Sequence, residues 1–234
     1  MEVKLSEKPK NPIILEGFPG VGLIGTITTE YLVKHLKAKP IGEIFSKDLM
    51  PMIAIHEQRV VQPIEIYYVK SKNLVILHAL TDIRGLEWDI SDALIELYKQ
   101  LKAKEIISIE GIMGQSETPK AYYYTKNQSV VKKFEKSGAT QLKEGVVTGV
   151  TAALLVKGRE LNSTGIFVET HSNLPDSLSS AKAIEMLDAY LNLGVDYKPL
   201  EKAAAEFETK LKDYVEKMRD TAKTSDKKTM EYFG

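Results

Sequence analysis

The stretch PIILEGFPGVGLIGTITTEYLVKHL, residues 12–36, places a short apolar run, a glycine-rich turn and a helix-forming segment one after another. Ile13 to Leu15 predict a strand, and the residues from Thr26 onwards predict a helix. Between them Gly20, Gly22 and Gly25 have the spacing G-x-G-x-x-G. In a strand–turn–helix unit this spacing is typical of dinucleotide binding. The stretch therefore predicts an α/β protein and raises the question of what its glycines do.

The glycine turn has two interpretations. For a dinucleotide site, Glu43 follows at about the distance expected of a ribose-binding acid. Against such a site, a proline precedes the first glycine, Gly42 adjoins Glu43, and no nicotinamide site is recognisable downstream. Glycines after a strand also permit tight turns and close helix–strand packing without a ligand. We favour this structural role, and the N-terminus of the Thr26 helix remains a candidate site for a small anion.

Composition excludes several classes of function. The 234 residues carry 32 basic and 32 acidic side chains, so no overall basic charge favours nucleic acid as a partner. Cysteine is absent, which excludes disulfides, thiolate zinc sites and cysteine nucleophiles. No signal peptide is recognisable, and no apolar run approaches the roughly 20 residues of a membrane span. The sequence predicts a cytoplasmic protein that binds neither nucleic acid nor membrane.

Strands and helices alternate along the chain, which predicts an α/β sandwich with a largely parallel sheet. Two β-rich runs, 64–69 and 74–79, are joined by only four residues, so this hairpin makes the sheet mixed. The run AYYYT, residues 121–125, predicts either an edge strand or an exposed aromatic patch. The other predicted strands are 13–15, 41–45, 52–57, 105–112 and 165–172, and the predicted helices are 26–36, 87–104, 127–138, 146–162 and 176–194.

The chain changes character near residue 198. Pro199 is well placed in the first turn of a new, highly charged helix. Its apolar residues repeat at alternating spacings of four and three, which indicates a seam of roughly three heptads. We therefore predict a core domain 1–198, a projecting helix 199–222 and a flexible tail 223–234, with the stripe packing on its own domain as the alternative. The apolar residues are Leu200, Ala204, Phe207, Leu211, Tyr214 and Met218.

Candidate catalytic side chains fall at strand ends, where the active sites of α/β proteins lie. They are Asp82, Glu110, Glu169 and His171. Polar residues occur at these places in every α/β protein, because strands end in solvent. The sequence contains neither an H-E-x-x-H pattern nor a G-x-S-x-G elbow. We predict no metal and no catalytic site, and keep a hydrolase or phosphorylase-type enzyme as the alternative.

Four segments together resemble the archaeal branch of the proteasome-assembly chaperones. They are residues 16–36, 108–125, 145–170 and 176–208, and because they are spread along the sequence the resemblance extends over nearly the whole chain. The resemblance implies a three-layer α/β/α domain of the phosphorylase/hydrolase-like type, with a mixed, mostly parallel sheet. It also implies a protein without established catalysis or a cofactor, in which Gly20, Gly22 and Gly25 form a structural turn.

The resemblance also implies a binding site at the C-terminus. Family members dock on the proteasome α-ring through a terminal motif of a hydrophobic residue, a tyrosine and any residue. The matching positions are Tyr232, Phe233 and Gly234, where Phe233 departs from the motif because it lacks the tyrosine hydroxyl. The expected protein is a non-enzymatic homo-oligomer of four or five copies that binds proteasome α subunits or another protein. Its helices would associate along the seam Leu200, Phe207, Leu211, Tyr214 and Met218.

The alternative function is an enzyme or small-molecule binder of phosphorylase-like fold. It would use the glycine turn together with Asp82 or Glu169. A third interpretation is a scaffold that assembles with an unrelated protein and does not use its tail.

Overall fold

The computed structural model describes residues 1–56, 58–116, 118–171, 173–198, 200 and 213. Five α-helices and eleven strands are present in these residues. The strands are β1 (Glu2–Leu5), β2 (Ile13–Gly17), β3 (Lys39–Phe45), β4 (Ala54–His56), β5 (Arg59–Val61), β6 (Ile64–Val69), β7 (Leu74–Ala79), β8 (Glu105–Met113), β9 (Ala121–Thr125), β10 (Thr140–Gln141) and β11 (Ser163–Thr170). The helices are α1 (Ile24–His35), α2 (Glu87–Leu101), α3 (Gln128–Lys136), α4 (Gly149–Lys157) and α5 (Ser177–Leu191).

Nine strands form one sheet in the order β1-β3-β6-β7-β2-β8-β11-β9-β10. The four central strands β7, β2, β8 and β11 are parallel, and β9 and β10 form a further parallel pair. The other four pairings, β1–β3, β3–β6, β6–β7 and β9–β11, are antiparallel. The predicted α/β class with a mixed sheet is confirmed, although four of the eight strand pairings in this sheet are antiparallel.

Helices cover both faces of this sheet. Strand side chains alternate in direction, so Leu15 of β2 joins one buried cluster and Ile14 joins the other. The first cluster lies under α1, α3 and α5, where Leu32, Phe134 and Leu187 point inward. The second lies under α2 and α4 and includes Leu94. These two cores around one sheet give the three layers that the family resemblance implied.

The tyrosine run is β9, an internal strand between β11 and β10. Its alternation puts Tyr123 in the core, where the ring stacks on Phe134 with centroids 5.0 Å apart. Tyr122 and Tyr124, on the opposite face, are half-buried. The edge-strand interpretation is wrong by one position, because the two-residue strand β10 lies outside β9.

The chain beyond α5 still belongs to the core. Asn192 ends the helix in the left-handed conformation, and Leu193 and Val195 are buried in the first cluster. Leu200 is 2% exposed and joins the same cluster. Apart from Leu200 and Asp213, the predicted helix 199–222 and tail 223–234 lie outside the described residues. The domain boundaries therefore remain predictions.

Candidate functional site

The glycine turn is a tight 3-10 turn, Val21–Leu23, that leads directly into α1. Gly22 has φ +66°, and a Cβ there would lie 3.0 Å from the side chain of Thr170. Both the left-handed backbone and the lack of space favour glycine at this position. The backbone N–H of Asp176, which precedes α5, also donates to the Gly22 carbonyl at 3.0 Å. The turn is therefore fixed to the end of β11 and the start of α5.

Gly25 lets α1 approach the sheet closely. A Cβ on Gly25 would lie 2.8 Å from the Ile109 carbonyl oxygen and 2.9 Å from Cα of Gly17. Gly111 on β8 has no room either, because a Cβ there would overlap the Val21 carbonyl. The glycines around the turn thus have a packing requirement that needs no ligand, which supports the structural interpretation.

Glu43 does not lie near the glycine turn. It is on β3, beside Lys4 of β1, whose ammonium group is 3.4 Å from its carboxylate. In a dinucleotide-binding unit the next strand after the crossover helix is parallel to the first and adjacent to it. Here β6 and β7 separate β3 from β2, and β3 is antiparallel to β6. The dinucleotide interpretation is thereby left without its ribose-binding acid.

A buried carboxyl group that the sequence analysis did not single out lies at the end of β2. Glu16 is 0% exposed, and neither of its carboxyl oxygens has a hydrogen-bond partner among the described residues. Its neighbour in the ladder is Ser108 of β8. Burial, and secondarily the charge of Glu110, raise the pKa of Glu16 from 4.5 to about 8, while Ser108 acts in the opposite direction.

Glu110, one of the predicted strand-end acids, lies near Glu16 and the glycine turn. A Cβ on Gly20 would be 3.3 Å from its Oε2 atom. The Thr151 hydroxyl in the first turn of α4 donates to Oε1 at 2.8 Å. Burial raises the pKa of Glu110 to about 7, although the side-chain and backbone hydrogen bonds from Thr151 oppose this rise. The glycine turn, β8 and α4 thus meet at this carboxyl group.

Glu169 and His171 lie at the end of β11. Tyr122 donates its hydroxyl to Oε1 of Glu169 at 2.9 Å, and the His171 ring is 3.3 Å from the Gly114 carbonyl oxygen. Burial raises the pKa of Glu169, but hydrogen bonds from Ser116 and Tyr122 outweigh it and keep that pKa below its usual value. Glu169 is therefore a stabilised carboxylate, unlike Glu16.

Asp82 is bonded within its own loop. The Arg84 side chain donates to it at 2.6 Å, and the Arg84 backbone N–H donates at 3.0 Å. Among the residues the structure describes, no hydrogen bond joins Asp82 to Glu110 or Glu169. Of the predicted acids, Asp82 thus lies in a loop, whereas Glu110 and Glu169 lie near the ends of the neighbouring strands β8 and β11.

The histidines are dispersed, as the sequence indicated. His78 of β7 is 1% exposed and lies on the α1 side of the sheet, the face opposite to Glu16. Its Nδ1 atom is 3.0 Å from the Thr29 hydroxyl and its Nε2 atom is 3.0 Å from Glu30. His35 stacks on Tyr31 at the other end of α1. In the described part of the chain, no three His, Asp or Glu side chains are grouped in a way that could hold a metal ion.

The predicted docking residues Tyr232, Phe233 and Gly234 lie outside the described residues. The same holds for the seam residues after Leu200, namely Phe207, Leu211, Tyr214 and Met218. No helix that the structure describes is long and apolar enough to cross a membrane.

The described residues define a three-layer α/β protein with a closely packed glycine turn. A sequence model of the PAC2 family matches residues 14–215, and the chain belongs to this family. PbaA of Pyrococcus furiosus, described as an archaeal homolog of proteasome-assembly chaperone, is 30% identical to it. That structure has a TM-score of 0.83, and the match covers 94% of this chain and all of PbaA. The resemblance drawn from the sequence is confirmed.

Two further relatives extend the comparison. An uncharacterized protein of Methanocaldococcus jannaschii is 28% identical over 222 residues, which are 92% of this chain and 91% of the relative. PbaB of Pyrococcus furiosus, described as an archaeal proteasome activator, is 21% identical with a TM-score of 0.73. That match covers 91% of this chain and 97% of PbaB. At this identity the likeness to PbaB shows the fold alone.

Proposed function

We propose that this chain is a non-enzymatic proteasome-assembly chaperone that works as a homo-oligomer in the cytoplasm. Its C-terminal residues Tyr232, Phe233 and Gly234 bind proteasome α subunits. The observation that carries this proposal is the match to PbaA over the full length of that protein, at 30% identity. Because PbaA is described as a homolog of a proteasome-assembly chaperone, the same class of partner is the first to test for this chain.

Leu200 is buried in the core of its own domain, so the proposed association between copies depends on the seam residues that follow it. Leu200 lies in the core under α1, α3 and α5. Neither α1 nor α3 has an exposed large hydrophobic side chain. The apolar stripe from Phe207 to Met218 is the part of the chain that we propose to be buried between copies. Its burial against the same stripe in other copies would form a homo-oligomer. Four or five copies is the number that the family resemblance implies.

The terminal residues suit a groove between two subunits. The aromatic rings of Tyr232 and Phe233 would fill such a groove, and the carboxylate of Gly234 would pair with a basic side chain. Several tails on one oligomer bind a ring of subunits with avidity, because each further contact is intramolecular. This arrangement would give strong binding from short peptides that are individually weak.

The test is native mass spectrometry of purified α subunits with three forms of the chain. These are the full chain, a chain that ends at Glu231, and a control that keeps its length but carries Tyr232→Ser and Phe233→Ser. We expect a complex with the full chain alone, and the same protomer count for all three forms without α subunits. If all three bind equally, the tail is not the binding site. If none binds, the α-ring is not the partner.

A second candidate is a small-molecule binder or a phosphorylase/hydrolase-like enzyme that uses the glycine turn and the strand-end acids. The observation that favours it is the partly buried Glu110 carboxyl beside Gly20, whose pKa is raised, because such shifts occur often at functional sites. Removal of residues 232–234 would leave this activity intact. The chain ending at Glu231 therefore separates the two functions.

A further inference from the structure

Two carboxyl groups lie on the neighbouring strands β2 and β8, on the α2 and α4 side of the sheet: Glu16 is fully buried and Glu110 is partly buried. Ile14 of β2 and Ile106 of β8 belong to the core cluster on that side. Because strand side chains alternate with a period of two, Glu16, Ser108 and Glu110 face the same side. The pair lies where the glycine turn, β8 and the N-terminus of α4 meet. This position is independent of the proposed tail.

Glu16 lacks the partners that a buried charge requires. Both of its oxygens are buried without a hydrogen bond of ordinary geometry to the described residues. An isolated carboxylate in such surroundings costs several kcal/mol, and a group at this position therefore keeps its proton instead. The charge of Glu110 acts in the same direction.

Glu110 connects three elements of the fold. Its carboxyl group accepts the Thr151 hydroxyl in the first turn of α4 and fills the space beside Gly20. Thr148, the residue that precedes α4, makes no side-chain capping bond. Glu110 caps the helix instead, because its carboxyl group accepts hydrogen bonds from the hydroxyl and the backbone N–H of Thr151. A carboxylate is favourable at a helix N-terminus. Negative charge at Glu110 is thus stabilised by α4, while a second charge at Glu16 is not.

The other charged groups around the pair are engaged elsewhere. His78 of β7 lies on the opposite face and contacts Glu30. Among the described residues, no lysine or arginine forms an ion pair with Glu16 or Glu110. The remaining groups on the neighbouring elements are Asp82 with Arg84 after β7, Glu169 with Tyr122 at β11, Asp92 of α2 with Lys157 of α4, Glu87 with the Gly85 N–H, and the exposed Asp89 and Glu96 of α2.

We propose that Glu16 and Glu110 hold at least one proton between them in the folded protein at neutral pH. This proton keeps the glycine turn, β8 and the N-terminus of α4 in contact. Its loss in alkaline solution puts negative charges on both neighbouring strands, one of them on the fully buried Glu16, which loosens the start of α4 and the turn. The pair is therefore a pH-sensitive connection built into the domain.

The direction of the pH effect follows from proton binding. The folded protein raises the pKa of Glu16 from 4.5 to about 8 and that of Glu110 from 4.5 to about 7. Between these values the folded state binds more protons than the unfolded chain. The pair's contribution to stability is complete below pH 4.5, falls as the pH rises and is lost above about 8.

The first test compares the full chain with Glu16→Gln, an isosteric variant that stays neutral. Urea unfolding at pH 5, 7 and 9 gives the unfolding constant of each form. From pH 5 to 9 we expect it to rise about 100- to 1000-fold more in the full chain than in the variant. The exposed Glu160→Gln serves as the control and should follow the full chain. Parallel pH curves for the full chain and Glu16→Gln would overturn the proposal.

The second test measures the proton directly in the full chain. Carbon-13 NMR of the glutamate carboxyl carbons, assigned with Glu16→Gln and Glu110→Gln, follows the titration of each group. We expect midpoints well above 4.5 for the pair and a lower midpoint for Glu16 in Glu110→Gln. Hydrogen exchange of the amides 149–153, corrected for the intrinsic pH effect, should accelerate above pH 8. A Glu16 midpoint near 4.5 would contradict the proposal even if the variants unfold.

Discussion

The Nε2 atom of His78 lies 3.0 Å from the carboxylate of Glu30. This contact joins β7 to α1 on the face of the sheet that α1, α3 and α5 cover. Lys34, one turn further along α1, approaches the other carboxylate oxygen at 2.9 Å. Burial raises the pKa of Glu30, but the charges and hydrogen bonds of His78 and Lys34 outweigh it and hold that pKa far below its usual value. The folded state thus strongly favours the ionised form of Glu30.

Glu30→Gln should therefore destabilise the protein by about 1–3 kcal/mol at pH 7, because it removes a charged partner from the buried His78. A lowered folded-state pKa contributes stability above the unfolded value of 4.5, and this stability is lost as the pH falls. The difference in free energy of unfolding between the unmodified chain and Glu30→Gln should accordingly become smaller towards pH 3. Urea unfolding at pH 7 and pH 3 measures it, with Glu96→Gln on the exposed face of α2 as the control. An equal difference at both pH values would contradict this account.

Gly111→Ala should be among the most damaging single substitutions in the domain. The added methyl group would overlap the Val21 carbonyl, which the glycine turn cannot move without displacing α1. Overpacking of this kind costs about 3 kcal/mol or more when backbone must shift. Thermal unfolding measures the loss. Gly145→Ala is the matched control, because its Cβ would meet only the end of the Leu142 side chain at 3.3 Å. Similar melting temperatures would show that the turn is more adaptable than its packing indicates.

Tyr190→Phe tests the buried polar network on the α5 side. The Tyr190 hydroxyl and the Thr164 hydroxyl both donate to Glu105, which is buried at the start of β8. Loss of the phenol oxygen leaves one carboxylate oxygen unpaired, which costs about 1–3 kcal/mol. Chemical unfolding should show this loss, whereas Tyr98→Phe on the half-buried side of α2 should cost less. Equal stability of Tyr190→Phe and the unmodified chain would mean that water replaces the bond.

Arg59→Ala should release the hairpin formed by β4 and β5. Arg59 donates to Glu65 at 2.6 Å and to the Tyr67 hydroxyl at 3.1 Å, and these bonds fasten the hairpin to β6. A two-stranded hairpin is only marginally stable by itself. Hydrogen exchange of residues 54–61 should become at least about tenfold faster, since a lost charged bond is worth about 1.5–3 kcal/mol. Lys39→Ala, whose ammonium group is exposed, is the control; unchanged exchange in Arg59→Ala would show that other contacts hold the hairpin.

Phe233→Tyr bears on the proposed docking of the tail. If the groove on the α subunits accepts a hydroxyl, the restored hydrogen bond is worth about 1 kcal/mol, or about fivefold in affinity. Titration of α subunits with the two full chains measures this ratio. Tyr232→Phe serves as the control for a change of hydroxyl at the neighbouring ring. Weaker binding by Phe233→Tyr would indicate a pocket that selects the apolar ring.

The sequence predicts the central strands and five helices well, because each has a strong apolar pattern of its own. It does not predict β1, β5 and β10, which are two to four residues long. Strands this short have too few residues for a pattern of their own and depend on a partner strand, as β1 does on β3 and β5 does on β4. The helix predicted over 146–162 is shorter in the structure, because Gly149 with φ +74° begins it and Gly158 follows its last residue. The apolar pattern of this segment does not show where the helix begins or ends.

The candidate site was only partly accessible to sequence reasoning. Glu110 follows from its place at a strand end, but Glu16 stands in the apolar run IILEG, where an acid reads as an interruption. A carboxyl group inside a buried strand is itself a signal, because burial without a partner changes its proton affinity. Its relation to Glu110 depends on β2 and β8 being neighbours, and the strand order is not contained in either segment.

The place of β11 in the sheet has a consequence for biosynthesis. This strand lies between β8 and β9, both of which precede it in the chain, and it pairs with each along most of its length. Until residue 170 has emerged from the ribosome, β8 and β9 both lack the strand with which they pair in the folded sheet. A nascent chain in this state exposes backbone groups that readily pair with other polypeptides. The domain is therefore completed from within by one of its last strands, and translation that stops before β11 leaves an aggregation-prone product.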